Sequence, residues 1–284
     1  VTLQRLSSTD AFLVVDFPTS PRADGIARCA RKVLVDSSRA LARSRSYAWA
    51  LLGQPISGAA AGISAEGEQR APALGAFCEE LSARVASGEL TLAAGKGLAP
   101  EELAPLGSVV APAPEDLLAG LLGAADALSG GLEGTEVAIE HDGGATGLKD
   151  ALLAAGATVV AEGPDAVSSD AALLVFGSRA GLVDHALAER LDATLLLPSA
   201  ELAYTPRALA VLDRRGSRLL PDFLTTAGPL AGRVGLDPRA WVAEVAQEVL
   251  DHADGAVIGA CHRAEDYLSN WVPELPFGRP IGGG

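Results

Sequence analysis

Short aliphatic runs alternate along this chain with longer segments whose apolar positions recur at helical spacing. Ala11 to Phe17 (AFLVVDF) reads as a buried strand, stopped by Pro18 and the polar stretch TSPRADG. From Ile26 to Arg45, the apolar positions Ile26, Ala30, Val33, Ala40 and Leu41 predict an amphipathic helix. Its arginines, Arg28, Arg31, Arg39, Arg43 and Arg45, are expected on a solvated outer face or against an acidic partner subunit. Tyr47 to Leu52 leads into GQPISGAAAGI, read as a loop whose small residues let backbones approach closely. Leu74, Phe77, Leu81 and Val85 predict a second helix closed by Gly88, followed by a strand at Leu90 to Ala93 and a turn from Gly95 to Pro100. A helix from Pro114 to Leu128 is closed by Gly130 and Gly131.

The second half is more regular. Val137 to Ile139 enters a glycine turn, Asp142-Gly-Gly-Ala-Thr-Gly147, which opens a helix from Leu148 to Ala155; Gly156 closes it before Thr158-Val-Val160. Strand, glycine turn, helix and strand is the opening βαβ unit of a dinucleotide-binding domain. The alternation then persists: strand at Ala171 to Phe176, helix at Leu182 to Leu191, strand at Thr194 to Leu197, a helix opening at Thr205-Pro206 and ending at Gly216, strand at Arg218 to Leu220. Asp237-Pro238 starts a helix carrying Trp241, Val245 and Val249, and a last helix spans Ala256 to Leu268. Apolar runs separated by helices predict a doubly wound parallel sheet, hence an α/β fold. The expected division is an N-terminal α/β domain at 1–113, a Rossmann-like domain at 114–270 and a Pro/Gly-rich tail at 271–284.

Composition narrows the function classes. Hydrophobic residues make up 49% of the 284 but aromatics only 4%, so the cores must be built from Ala, Val and Leu. A formal charge of −14 offers no basic footprint for nucleic acid or for an anionic membrane surface. Cys29, Cys78 and Cys261 are widely spaced, which fits reduced thiols. With no apolar run of membrane-span length and no basic-then-apolar leader, the expected location is cytoplasmic. The four histidines, His141, His185, His252 and His262, show no metal-ligand spacing, so no metal site is expected. His262 follows Cys261 on a helix, where neighbours point about 100° apart, which argues against a paired nucleophile and base.

Several segments, in order over nearly the whole chain, resemble landmarks of the glutamate, leucine, phenylalanine and valine dehydrogenase family. Tyr47 to Ile63 (YAWALLGQPISGAAAGI) resembles its substrate-site segment, Leu92 to Leu103 (LAAGKGLAPEEL) its A-P-D-x-G-T segment, and Glu133-Gly134, Pro221-Asp222-Phe223 and Ala227-Gly228 further landmarks. The resemblance implies an N-terminal oligomerisation and substrate domain followed by a Rossmann domain. It also implies a site in which one lysine holds the substrate carboxylate, a second activates water, and an aspartate moves protons. Those positions match Ala48, Ala60 and Gly95 here, and the asparagine-bearing turn beside the nicotinamide matches Ser199-Ala200-Glu201. Alanine and glycine supply neither charge nor proton transfer.

No catalytic residue is therefore expected at Ala48, Ala60 or Gly95, and Lys96, Glu201 and Asp222 are the groups to test if the chain is an enzyme. The cofactor turn should read G-x-G-x-x-G, and Asp142 stands at its first glycine. A carboxylate ~5 Å from a phosphate costs about 3 kcal/mol at an effective dielectric of about 20, which is roughly a hundredfold in affinity. Gly144 and Gly147 still admit a backbone approach, and Glu162 stands where a ribose hydroxyl is held, so the expectation is NAD or NADP with weakened affinity. The leading expectation is a non-catalytic homologue acting as a regulatory, scaffolding or sensing subunit, in a homo-oligomer or a hetero-oligomer with an active paralogue. The alternatives are a divergent NAD(P)-dependent oxidoreductase with rewired acid/base residues, or a small-ligand binder that reuses the family's cleft.

Overall fold

A computed structural model describes residues 1–107, 109–111, 113–275 and 278–280. Parts of the expected tail, residues 276–277 and 281–284, lie outside the described residues. The chain divides into two compact units, Val1–Pro112 with Tyr267–Phe277, and Ala113–Asp266 with Gly278–Gly284.

The first unit is built on a mixed sheet in the order β1-β2-β4-β3-β5-β6. Its strands are β1 (Thr2–Arg5), β2 (Ala11–Val15), β3 (Ala23–Ala30), β4 (Ser57–Ser64), β5 (Leu90–Ala94) and β6 (Val109–Val110). β1, β2 and β4 pair antiparallel, whereas β4, β3, β5 and β6 run parallel. Helix α2 (Arg70–Ala86) buries Leu74, Phe77, Leu81 and Val85 against Leu13, Ala27, Ala59, Ala61 and Ile63 of the sheet, the expected helical face. Helix α1 (Val35–Leu51) covers the opposite face, since Gly58 meets it while Ala59 and Ala61 meet α2.

Two expectations are corrected in this unit. The segment from Ile26 to Arg45 is not one helix: it begins as β3, in which Ala23, Ala27 and Cys29 face the core at period two, and α1 starts only at Val35. Spacings of three and four among small residues imitated a helix there. The GQPISGAAAGI stretch is not a loop either, because from Ser57 it is β4, paired on both sides and at the centre of the sheet. Glycine and alanine are poor strand formers, so tertiary packing overrides propensity. A Cβ on Gly58 would lie 1.8 Å from the Ala42 carbonyl oxygen, so only glycine lets α1 sit this low on the strand.

The arginines are corrected with them. Arg39 does lie outside, paired with Asp36 at 2.9 Å. Arg43 instead turns inward and grips Asp16 through Nε and Nη2 at 2.8–2.9 Å, while Arg45 donates to Asp24 at 2.9 Å. Trp49 Nε1 donates to the same Asp24 oxygen at 3.1 Å. α1 therefore covers the sheet with a buried polar seam, which also includes Ser46 Oγ accepting from Gly58 N at 2.8 Å.

The second unit carries an all-parallel sheet of five strands in the order β11-β10-β9-β7-β8. These are β7 (Glu136–Ile139), β8 (Thr158–Glu162), β9 (Leu173–Phe176), β10 (Leu195–Pro198) and β11 (Arg218–Leu219). Around it run α3 (Pro114–Ser129), α4 (Leu148–Ala154), α5 (His185–Ala188), α6 (Pro206–Arg214), α7 (Asp222–Thr225), α8 (Gly228–Arg233), α9 (Pro238–Leu250) and α10 (Ala256–Leu268). The caps are those the sequence announces. Gly130 closes α3 in the left-handed conformation, Thr205 accepts from Ala208 N at the start of α6, and Asp237 accepts from Arg239 N and Ala240 N at the start of α9.

One helix is much shorter than expected. Within 182–191 only His185–Ala188 is helical, because Val183 bridges Tyr204 as a strand residue and Asp184 caps the turn by accepting from Leu187 N. The fold is thus α/β, with a mixed sheet followed by a Rossmann-like parallel sheet. Among the described residues no helix is long and apolar enough to cross a membrane.

Candidate functional site

In an open parallel sheet a ligand binds beyond the carboxyl ends of the strands, at the point where the strand order reverses. Here that point lies between β7 and β9, since β8 follows β7 on one side and the chain then crosses to β9 on the other. Glu140, the residue after β7, occupies it. Its carboxylate is buried and accepts from Gly177 N at 3.0 Å and Ser178 N at 3.2 Å, which ties together the two diverging strand ends.

The glycine turn that follows is closed on itself. His141 Nδ1 accepts from Gly143 N at 2.9 Å, and Asp142 Oδ1 accepts from Gly144 N at 2.9 Å. The next amides bond within the same turn, Ala145 N to Asp142 O at 3.1 Å and Thr146 N to Gly144 O at 3.0 Å. Amides that a dinucleotide turn leaves for a phosphate are here consumed in sequence. Gly143, at φ +68°, is also pressed onto Ser199, whose carbonyl oxygen would stand 1.9 Å from any Cβ. Ser199 Oγ completes the clasp by donating to His141 O at 2.7 Å. Space remains beside Gly144 and Gly147, so the turn is open in shape but has spent its donors. Glu162, at the end of β8, accepts from Lys149 Nζ at 2.5 Å in a half-exposed pair.

Ala48, Ala60 and Gly95 of the first unit all lie in packed surroundings. Ala48 is buried on α1, and Ala60 is fully buried in mid β4 between Val14 and Ile26 of the neighbouring strands. Gly95 follows β5 and donates to Ala27 O at 2.8 Å; a Cβ there would lie 2.3 Å from Ile26 Cγ2. An aspartate therefore could not stand at this position without displacing Ile26. Lys96 is exposed, and its carbonyl accepts from Cys29 N at 3.2 Å.

Asp222 reaches the turn after β10, in which Glu201 stands, and the charge of Glu201 acts on it. Asp222, the first residue of α7, is 3% exposed and its carboxylate accepts from Ala203 N at 3.1 Å. Burial pushes the group up to about 7, the charge of Glu201 adds to the rise, and the amides of Ala203, Phe223 and Leu202 oppose it. Leu202 sits at φ +59°, a left-handed conformation found at no other non-glycine among the described residues. Tyr204, edge-on to Phe176, donates to Leu196 O at 3.3 Å. Burial, then Asp222, holds its hydroxyl well above the usual range. Asp222 thus pins a strained turn through its hydrogen bond to the Ala203 amide.

The stability of the chain should follow the ionisation of Asp222. An acid held at about 7 in the fold, against about 4 in the unfolded chain, keeps a proton that the unfolded chain has released. Its contribution is fully present below about pH 4 and is lost as pH rises to about 7, with a slope of up to about 1.4 kcal/mol per pH unit. Asp222→Asn removes that titration. The urea midpoint of the unaltered chain is expected to fall relative to that of the variant as pH rises across this window, and parallel curves would contradict the assignment.

No family model matches the sequence, and no curated protein matches it. Solved structures do match in shape. Hetero-hexameric glutamate dehydrogenase from Thermus thermophilus in its Leu-bound form is similar over 92% of this chain and 83% of that one, at 19% identity and a TM-score of 0.75. L-tryptophan dehydrogenase from Nostoc punctiforme is similar over 95% of both chains, at 18% identity and a TM-score of 0.68. Glutamate dehydrogenase from Plasmodium falciparum is similar over 92% of this chain and 79% of that one, at 14% identity and a TM-score of 0.70. The chain has the amino-acid dehydrogenase fold.

Within this amino-acid dehydrogenase fold, three site features went unread in the sequence. The closure by Asp142 was legible in principle, because an aspartate two residues before an amide is the signature of an Asx turn. The Glu140 bridge had no such signal, since nothing local distinguishes a buried strand-end acid from a solvated one. His252 and His262, far apart among the elements read from the sequence, are brought together by the packing of α10 against the loop before it.

Proposed function

We propose that this chain is a non-catalytic homologue of the amino-acid dehydrogenases that works as a regulatory, scaffolding or sensing subunit of an oligomer. The observation that carries this reading is the self-closed turn, in which the amides from Gly143 to Thr146 all have acceptors inside the turn. The packed surroundings of Ala60 and Gly95 support it, because the places of two charged groups are filled by neighbouring side chains rather than left as an empty pocket. The hetero-hexamer and bound leucine named for the Thermus thermophilus enzyme support an assembly with an active paralogue and an amino acid as the small-molecule ligand. NAD or NADP is expected to bind at most weakly.

Two measurements test this. Calorimetry of the purified chain with millimolar NAD or NADP is expected to show no saturable binding, and light scattering is expected to show an oligomer. Oxidation of any common amino acid above background with either cofactor, or a monomer at micromolar concentration, would overturn the reading.

One observation favours a second reading, a divergent NAD(P)-dependent oxidoreductase. Asp222 is a buried carboxyl held at about 7, the range suited to a general acid or base, and it is electrostatically coupled to Tyr204 and Glu201. That reading requires dinucleotide binding, so the same calorimetry decides between the two.

A further inference from the structure

α9 ends at Leu250, a short loop carries His252 and Asp254, and α10 begins at Ala256. His262 projects from the second turn of α10 back toward that loop. His252 Nε2 and His262 Nδ1 stand 3.3 Å apart, with the rings edge-to-face at 5.1 Å between centroids. One ligand atom from each of His252, Asp254 and His262 can be chosen so that all lie within 4.8 Å of one another. Both imidazoles are half-buried and the carboxylate faces solvent.

We propose that His252, Asp254 and His262 form a binding site for a divalent transition-metal cation, with zinc the best match to the donor set. Two imidazole nitrogens bound to zinc at about 2.0–2.1 Å lie about 3.3 Å apart at the tetrahedral angle, which is the separation already in place. Two nitrogens and one carboxylate oxygen suit a borderline cation better than calcium or magnesium, which take oxygen ligands. A water would complete the fourth position, as in three-residue zinc sites generally. The neighbouring Cys261 is fully buried and stands outside this group of ligand atoms.

A second feature positions the site. Gly259 lies in the first turn of α10, on the side that meets the loop carrying His252. A Cβ there would stand 2.7 Å from His252 Cβ. The glycine thus forms the notch in which His252 rests beside His262. His252 Nδ1 also accepts from Asp254 N at 3.1 Å. A metal on Nε2 requires the ring proton on Nδ1, so binding gives up this amide hydrogen bond, and the expected affinity is correspondingly moderate. The cation would clamp the loop onto α10. The site lies within the second unit and does not depend on whether the chain binds a dinucleotide.

The test is titration of the full, tag-free chain with zinc chloride, read by calorimetry and by competition with a chromophoric chelator. A single equivalent is expected to bind, with affinity falling about tenfold or more in His252→Ala, His262→Ala and Asp254→Asn. Gly259→Ala keeps every ligand and strengthens the helix, yet is expected to weaken binding by about 10- to 100-fold because it displaces His252. Zinc should raise the melting temperature of the unaltered chain and not that of the His262→Ala variant. Absence of stoichiometric uptake, or uptake equal in the unaltered chain and the histidine variants, would overturn the proposal. Should the histidine variants not fold, Asp254→Asn decides, since it alters an exposed side chain.

Discussion

Arg43→Ala is expected to destabilise the first unit by about 3–5 kcal/mol, among the larger effects open to a single substitution. Asp16 is 1% exposed, and Arg43 meets both of its carboxylate oxygens at 2.8–2.9 Å. Removing the guanidinium leaves a charge in a place water does not reach, and its desolvation is then uncompensated. The guanidinium also lies 5.8 Å from the centroid of the Phe17 ring, and the substitution removes that cation–π attraction as well. Arg39→Ala is the control, because its pair with Asp36 is exposed and is worth about 0–1 kcal/mol. Urea unfolding monitored by Trp fluorescence measures both. A double variant, Asp16→Ala with Arg43→Ala, should recover part of the loss. If Arg43→Ala and Arg39→Ala cost the same, the buried pairing is wrong and the arginines do form one solvated face.

Asp142→Gly is expected to raise affinity for NAD or NADP roughly a hundredfold, from no saturable binding at millimolar cofactor to binding that calorimetry can resolve. Two physical changes act in the same direction. The carboxylate, worth about 3 kcal/mol of repulsion toward a phosphate ~5 Å away, is removed. The Gly144 amide, which now donates to Asp142 Oδ1 at 2.9 Å, becomes available to an anion. Asp142→Asn separates the two, because it removes the charge but keeps an acceptor for Gly144 N, and should recover only part of the gain. Identical, unmeasurable binding by all three proteins would show that residue 142 is not what closes the site.

The regular elements of the second unit could be read because their signals are local. Apolar runs of strand length, Thr205 and Asp237 as caps, and Gly130 in the left-handed conformation each act within a few residues of themselves. The last helix, Ala256–Leu268, is likewise legible from its own apolar spacing. The first unit resisted because its central strand is written in glycine, alanine and serine. β4 is a strand only because β2 and β3 pair with it and α1 rests on Gly58, facts that reside in other parts of the chain. The arginines of α1 misled for a related reason, since Asp16 and Asp24 are remote in sequence and nothing near Arg43 announces a buried partner. At the site, the oddness of Asp142 was visible as a departure from a motif. What it does was visible only once its oxygen stood beside the Gly144 amide.

The clasp around the glycine turn also has a consequence for how this surface can change over time. Asp142 is one of three closures, and His141 holds the Gly143 amide while Glu140 bridges the amides of Gly177 and Ser178. Undoing the closure at Gly143 or Gly144 returns an exposed amide to water, whereas removing the Glu140 carboxylate strands the Gly177 amide in a buried place. Substitution is therefore expected to be tolerated at His141 and Asp142 more readily than at Glu140. The glycine turn is thus the replaceable part of this strand end, and the acid beneath it the fixed part.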